Sequence, residues 1–138
     1  PYFPPGSLRE VLSYPRDAKA FTDADLTRCL EDIGLARLAG MLDREARWDR
    51  DLNDDDQRLL AFARLALHRP AWVIIDEALD ALRGETRKRV ISVLGRALDG
   101  STIVNIGEPD GADGFFRRVL HLASHPEGRT LPRVHMRA

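Results

Sequence analysis

Arg69-Pro70-Ala71-Trp72-Val73-Ile74-Ile75-Asp76-Glu77-Ala78-Leu79-Asp80 is the stretch from which the fold can be read. The proline closes whatever precedes it. A short apolar run with β-branched residues follows, and two adjacent acids end it. A run of this length, bounded by Pro and by charge, predicts a strand buried on both faces. Asp76 and Glu77 then stand at its carboxyl end, where open α/β sheets place their ligand sites. One carboxylate there can hold a metal through water while the next orients an attacking water. The same dipeptide also reads as a solvated acidic turn, and alone it does not decide between the two.

Upstream, the pattern changes from a continuous apolar run to a helical one. Asn53 is a good N-cap, and Asp54, Asp55 and Asp56 fill the first turn. Leu59, Leu60, Phe62, Ala63, Leu65, Ala66 and Leu67 follow, up to Pro70. First-turn carboxylates suit the partial positive charge of a helix N-terminus, so helix capping accounts for this acidic cluster. A calcium loop fails on spacing. Counted from Asp51, the sixth position is Asp56 rather than Gly and the twelfth is Phe62 rather than Glu.

Two further helices precede it. Ser7-Leu8-Arg9-Glu10 has the spacing of a capping box, with Leu8, Val11 and Leu12 as the apolar side and Pro15 as the stop. Thr22 caps the next, with Asp25 at its third position and Phe21 and Leu26 placed for a hydrophobic staple. Leu26, Leu30 and Ile33 line one face, and Gly34 fits the left-handed position after the last turn. Residues 35–42 predict another short helix. The polar stretch from Asp43 to Asp51 is broken only by Trp48.

Downstream, Glu85 to Leu98 reads as a helix buried through Val90, Val93, Leu94 and Leu98 and ended by Gly100. Thr102 to Ile106 is a second buried strand, and Gly107 to Gly111 a turn-rich loop. Phe115 and Phe116 predict a short helix. Val119 to Ala123 is a third strand, and a last one lies around Thr130 to Val134. The strand–helix–strand order predicts parallel strands with a right-handed crossover.

At 138 residues there is room for one modest core. The net charge is -1 and nothing favours nucleic acid as a partner. Cys29 reads as an inert structural thiol. No run is long and apolar enough to span a bilayer. Lacking an initiating Met and a signal peptide, the chain reads as a piece of a longer protein. His68, His121, His125 and His135 have no metal-ligand spacing. Trp48 and Trp72 read as packing residues, and Arg87, Lys88 and Arg89 as a solvated helix face.

In this order the motifs resemble the second half of an ABC-transporter nucleotide-binding domain, nearest to SbmA/BacA-like and peroxisomal-type transporters. Residues 1–10 resemble the segment after that family's Q-loop. Trp48 and Leu52 match the approach to its signature motif, Leu60-Ala61-Phe62-Ala63-Arg64 the helix after it, and Arg69-Pro70 the link to Walker B. The resemblance covers essentially the whole chain. It implies the second half of a P-loop NTPase fold in the α/β class: a helical subdomain (1–69), then the Walker B half of the core (70–138), a mainly parallel sheet with flanking helices. It also implies ATP and Mg²⁺ in the parent protein and none bound to this chain alone. Asp76 would help to hold Mg²⁺ and Glu77 would be the general base for water. The partners would be a transmembrane domain of the same parent chain and a second nucleotide-binding domain, at the cytoplasmic face of the inner membrane.

The departures from the family pattern are as specific. Leu-Ser-x-Gly-Glu/Gln-Gln corresponds here to Leu52-Asn53-Asp54-Asp55-Asp56-Gln57. In the family, the Ser and Gly of this motif contact the γ-phosphate of ATP held by the opposite subunit; here Asn53 and Asp55 stand at those positions, and Gln57 at the motif's final Gln. Two unit charges about 4 Å apart interact by roughly 4 kcal/mol at an effective dielectric near 20. A fraction of that, repeated over several acids, cancels what a helix terminus offers a phosphate. The D-loop Ser-Ala-Leu-Asp corresponds to Asp80-Ala81-Leu82-Arg83, and the switch histidine to Glu108. No Gly-x-x-x-x-Gly-Lys-Ser/Thr occurs, so this chain by itself is expected not to hydrolyse ATP. A partner chain would complete the missing sheet edge. The alternative is a pseudo-ATPase or regulatory interaction module that keeps the fold without turnover.

Overall fold

The computed structural model describes residues 1–107, 114–123 and 131–136, in two compact units divided after Gly107. In the first unit, β1 (Gly6–Ser7) leads into α1 (Leu8–Ser13). The Ser7 hydroxyl accepts from the Glu10 N–H at 3.3 Å, and the Glu10 carboxylate accepts from the Ser7 N–H at 2.7 Å. This is the expected capping box. Helix α2 (Asp23–Ile33) is capped the same way by Thr22 and Asp25, and Gly34 closes it at φ 94°. Leu26, Cys29, Leu30 and Ile33 form its buried face.

The short helix expected over residues 35–42 is present as a 3₁₀ helix, Ala36–Met41. Leu35 and Leu38 are buried there, three residues apart. That spacing lines up in a 3₁₀ turn, and an eight-residue segment containing Gly40 gains too little to nucleate α-helix. Next come β2 (Glu45–Ala46), which pairs antiparallel with β1, and α3 (Trp48–Asp51). Trp48 is buried and donates from its indole to the Gly6 carbonyl at 3.0 Å. Neither the small ladder nor α3 has a periodic signal long enough to predict.

Helix α4 (Asp54–His68) packs against α1, α2 and α5. It buries Leu59, Leu60, Phe62 and Ala63 among Leu8, Leu12, Leu26, Leu30 and Ile33 of the common core. Each Leu, Ile or Phe side chain among them contributes about 1.5–3 kcal/mol by leaving water. Arg69 ends α4 in the left-handed conformation (φ 45°). Strand β3 (Trp72–Asp76), helix α5 (Gly84–Ala97) and strand β4 (Thr102–Ile106) follow, with β3 and β4 parallel and Val73 opposite Ile103. The order and the parallel pairing are as expected.

The strand is not buried on both faces. Val73 and Ile75 are buried, but Trp72 and Ile74 are 70% and 72% exposed, and Val104 and Ile106 are exposed beside them. Trp72 therefore does not pack as expected. Within residues 1–107 no element lies over this face of the sheet, although its residues are as apolar as those of the covered face.

The second unit is an antiparallel pair, β5 (Arg118–Ala123) and β6 (Leu131–Met136), with Leu120 opposite Val134. Both strands were expected. Residues 124–130 join them, too few for the crossover that parallel strands need, so the parallel arrangement is confined to β3 and β4 among the described residues. The short helix expected at Phe115 and Phe116 is absent. Gly114 is left-handed (φ 62°) and β5 begins at Arg118, which leaves less than one helical turn. The two rings meet edge to face with centroids 4.9 Å apart.

Candidate functional site

Asp76 is the last residue of β3, and both it and Glu77 are exposed. The chain must leave the sheet immediately after, and Glu77 turns it in the left-handed region (φ 53°). The Glu77 N–H donates to the Ile106 carbonyl at 2.9 Å, which carries the β3–β4 ladder one residue further. The turn then closes on the Glu77 carbonyl, which accepts from the Asp80 and Ala81 N–H groups at 3.1 and 3.3 Å. Leu79 and Leu82 are buried and anchor the turn from below. Arg87 of α5 donates to the Leu79 carbonyl and Arg83 to the Asp80 carbonyl. Arg87 is buried, which corrects its reading as part of a solvated helix face; Lys88 and Arg89 are exposed as expected. The Asp80 carboxylate lies against Gly107 at the end of β4, and a Cβ there would require it to shift. Asp76, Glu77, Asp80 and Arg83 thus share one rigid turn at the carboxyl end of a parallel strand.

The second group of expected site residues lies at the start of α4. The Asn53 side chain accepts from the Asp56 N–H at 2.9 Å. Asp56 pairs with Arg37, which reaches it from the 3₁₀ turn, and Arg58 donates to Asp55 at 2.9 Å. Gln57 turns back and donates to the carbonyls of Asp49 and Leu52 at 3.1 and 2.9 Å. Arg47 holds Asp49 through two bonds of 3.1 and 3.0 Å. Asn53, Asp55 and Gln57 are therefore occupied in holding the helix start. Glu108 lies outside the described residues. Sequence reasoning missed Arg37, Arg87 and the close approach at Gly107; only the Gly itself was a signal.

The two groups differ in what they can hold. Among the described residues no three His, Cys, Asp or Glu side chains converge on a metal position. A lone exposed carboxylate such as Asp76 suits Mg²⁺, which keeps most of its waters and shares substrate phosphates. The first turn of α4 does not suit a nucleotide phosphate, because its carboxylates occupy the field of the helix terminus. Cys29 offers no nucleophile: burial first, then Asp32 and Asp25, push its thiol up to about 12.

No protein-family model matches the chain. Comparison with curated proteins does find relatives. An uncharacterized ABC transporter ATP-binding protein of Haemophilus influenzae is 35% identical over 107 residues, 78% of this chain and 18% of that protein. The mouse lysosomal cobalamin transporter ABCD4 is 32% identical over 88% of this chain and 22% of its own length. An ABC transporter ATP-binding protein of Synechocystis, also uncharacterized, is 31% identical over 94% of this chain and 19% of its own. The chain thus spans about a fifth of the length of the curated relatives it matches.

Proposed function

Because the chain is homologous to one segment of ABC transporter ATP-binding proteins, we propose that it is the C-terminal part of such a protein's ATP-binding domain. Residues 1–69 would be the helical subdomain and 70–138 the Walker B half, in a parent of the SbmA/BacA-like or peroxisomal type. The observation that carries this reading is the acidic turn at the end of β3, hydrogen-bonded to the end of β4 at Glu77. Asp76 would hold Mg²⁺ through water, and Glu77 would take a proton from the attacking water. Mg²⁺, when bound, supplies charge neutralisation on the transferring phosphate.

The bare apolar face of β3 and β4 supports the same reading. Parallel strands are covered on both faces in α/β proteins, and Trp72, Ile74, Val104 and Ile106 await a covering layer. We assign that layer to the part of the parent polypeptide that carries the phosphate-binding loop. Turnover then belongs to the parent, together with its transmembrane domain and a second ATP-binding domain, at the cytoplasmic membrane face.

A second reading is favoured by the start of α4. Asp54, Asp55 and Asp56, with Asp56 held by Arg37, oppose a γ-phosphate where the family's signature would receive one. This favours a pseudo-ATPase, or a dimer with one competent site. Hydrolysis of ATP by the parent protein, beside its Glu77→Gln form, separates the two. Loss of about 10²–10⁴-fold in turnover in the Gln form supports a working base. Equal rates in a folded parent that has a phosphate-binding loop establish the pseudo-ATPase.

A further inference from the structure

A cleft of about 510 Å³ opens where α2, α4 and α5 meet, away from the acidic turn. It lies wholly within residues 1–107. Four guanidinium groups line it: Arg16, Arg28, Arg69 and Arg96. Only two carboxylates, Asp25 and Asp32, share the wall. Asp25 is already engaged, accepting from both the hydroxyl and the N–H of Thr22 in the α2 cap at 2.7 and 3.2 Å. Among the described residues, Arg28, Arg69 and Arg96 form no ion pair or side-chain hydrogen bond; Arg28 and Arg69 feel Asp25 only through space. Arg16 lies over the Phe21 ring, 5.8 Å from its centroid.

Helix ends explain part of this charge. The last turns of α4 and α5 reach the cleft at His68 and Ala97, and each C-terminus carries about half a negative charge. Two such ends and two carboxylates offset about three of the four guanidinium charges, so the wall keeps a net positive charge of about one. Arg69 adds a separate indication. It caps α4 at φ 45° and ψ 57°, where glycine is the favoured residue. A side chain is disfavoured in that conformation, so the position carries an arginine at the expense of stability.

We propose that this cleft binds a compact phosphate-bearing anion. Guanidinium forks match phosphate oxygens with two parallel bonds, and the wall offers several forks at once. The volume lies in the range of small-molecule sites. The phosphate can belong to a soluble molecule or to a lipid headgroup, since both present the same oxygens.

The test uses the full 138-residue chain at low salt. Inorganic pyrophosphate is titrated by calorimetry, and vesicles of phosphatidylcholine with or without phosphatidic acid are tested by co-sedimentation. Saturable pyrophosphate binding identifies a soluble ligand; sedimentation only with phosphatidic acid identifies a headgroup. In either arm R28Q/R96Q weakens binding by about tenfold or more while the circular dichroism spectrum is unchanged. Should that pair fail to fold, Arg28→Gln alone, at an exposed position of α2, is read instead. No binding in either arm up to about 10 mM pyrophosphate, or equal binding by the variants, overturns the proposal. None of these readouts involves ATP turnover, so the result stands apart from the reading of Asp76 and Glu77.

Discussion

The molecule carries two acidic clusters of opposite meaning. At the end of β3, Asp76 and Glu77 are exposed on a turn that is clamped through its backbone by Ile106, Arg87 and Arg83. At the start of α4, Asp55 and Asp56 are clamped through their side chains by Arg58 and Arg37, with Asn53 capping behind them. In the first cluster the backbone is fixed and, among the described residues, no side chain holds the Asp76 and Glu77 carboxylates. In the second the carboxylates themselves are the fixing groups. Residue type is the same in both; what differs is which atoms the structure uses. Chemistry is therefore expected from the strand end, and architecture from the helix start.

The hardest test of this contrast removes the support beneath the second cluster. Trp48 is buried and ties the approach to α4 to Gly6. Trp48→Ala is expected to lower stability by about 3–5 kcal/mol, measured by chemical denaturation. A loss near zero would mean that the helix start is not anchored to the core, and the architectural role would fail.

Smaller changes sharpen the contrast at the backbone. Glu77 is left-handed and Asp55 is helical. Glu77→Gly relieves strain and is expected to leave stability unchanged or raise it by up to about 1 kcal/mol. Asp55→Gly lowers it by about 1 kcal/mol, through helix propensity and loss of a first-turn charge. Equal losses at both positions would show that the two clusters do not differ in backbone cost.

How far the sequence showed all this depends on the range of the interactions. Helices α2 and α4 were legible because their caps and apolar periodicity are local: Thr22 with Asp25, Asn53 ahead of the acids, Leu26 to Ile33 on one face. The acidic turn was legible because β3 is a short apolar run ending in charge. The pairing of Arg37 with Asp56 was not, since it joins residues 19 apart, from a 3₁₀ helix to the first turn of α4. Arg87 was hidden between Glu85 and Lys88 in a charged run; its burial is set by the turn it supports, which no local pattern encodes. The apolar run of β3 announced two faces to be buried. It could not announce that residues 1–107 cover only one of them.

Acid separates structural carboxylates by a smaller effect. Asp49 lies on the approach to α4, and its carboxyl is held below the usual range first by the Arg47 guanidinium. Asp25 in the α2 cap is held down by the Thr22 hydroxyl and N–H. A depressed folded value means that the folded chain binds fewer protons than the unfolded chain in acid. The contribution is present above the ordinary Asp value and is lost as pH falls through the folded one. Asp49→Asn and Arg47→Gln should each make the decline of stability between about pH 5 and pH 2 shallower than in the unaltered chain. Unchanged slopes in both would place Asp49 outside the architecture, since a carboxylate that supports a fold must weaken it when protonated.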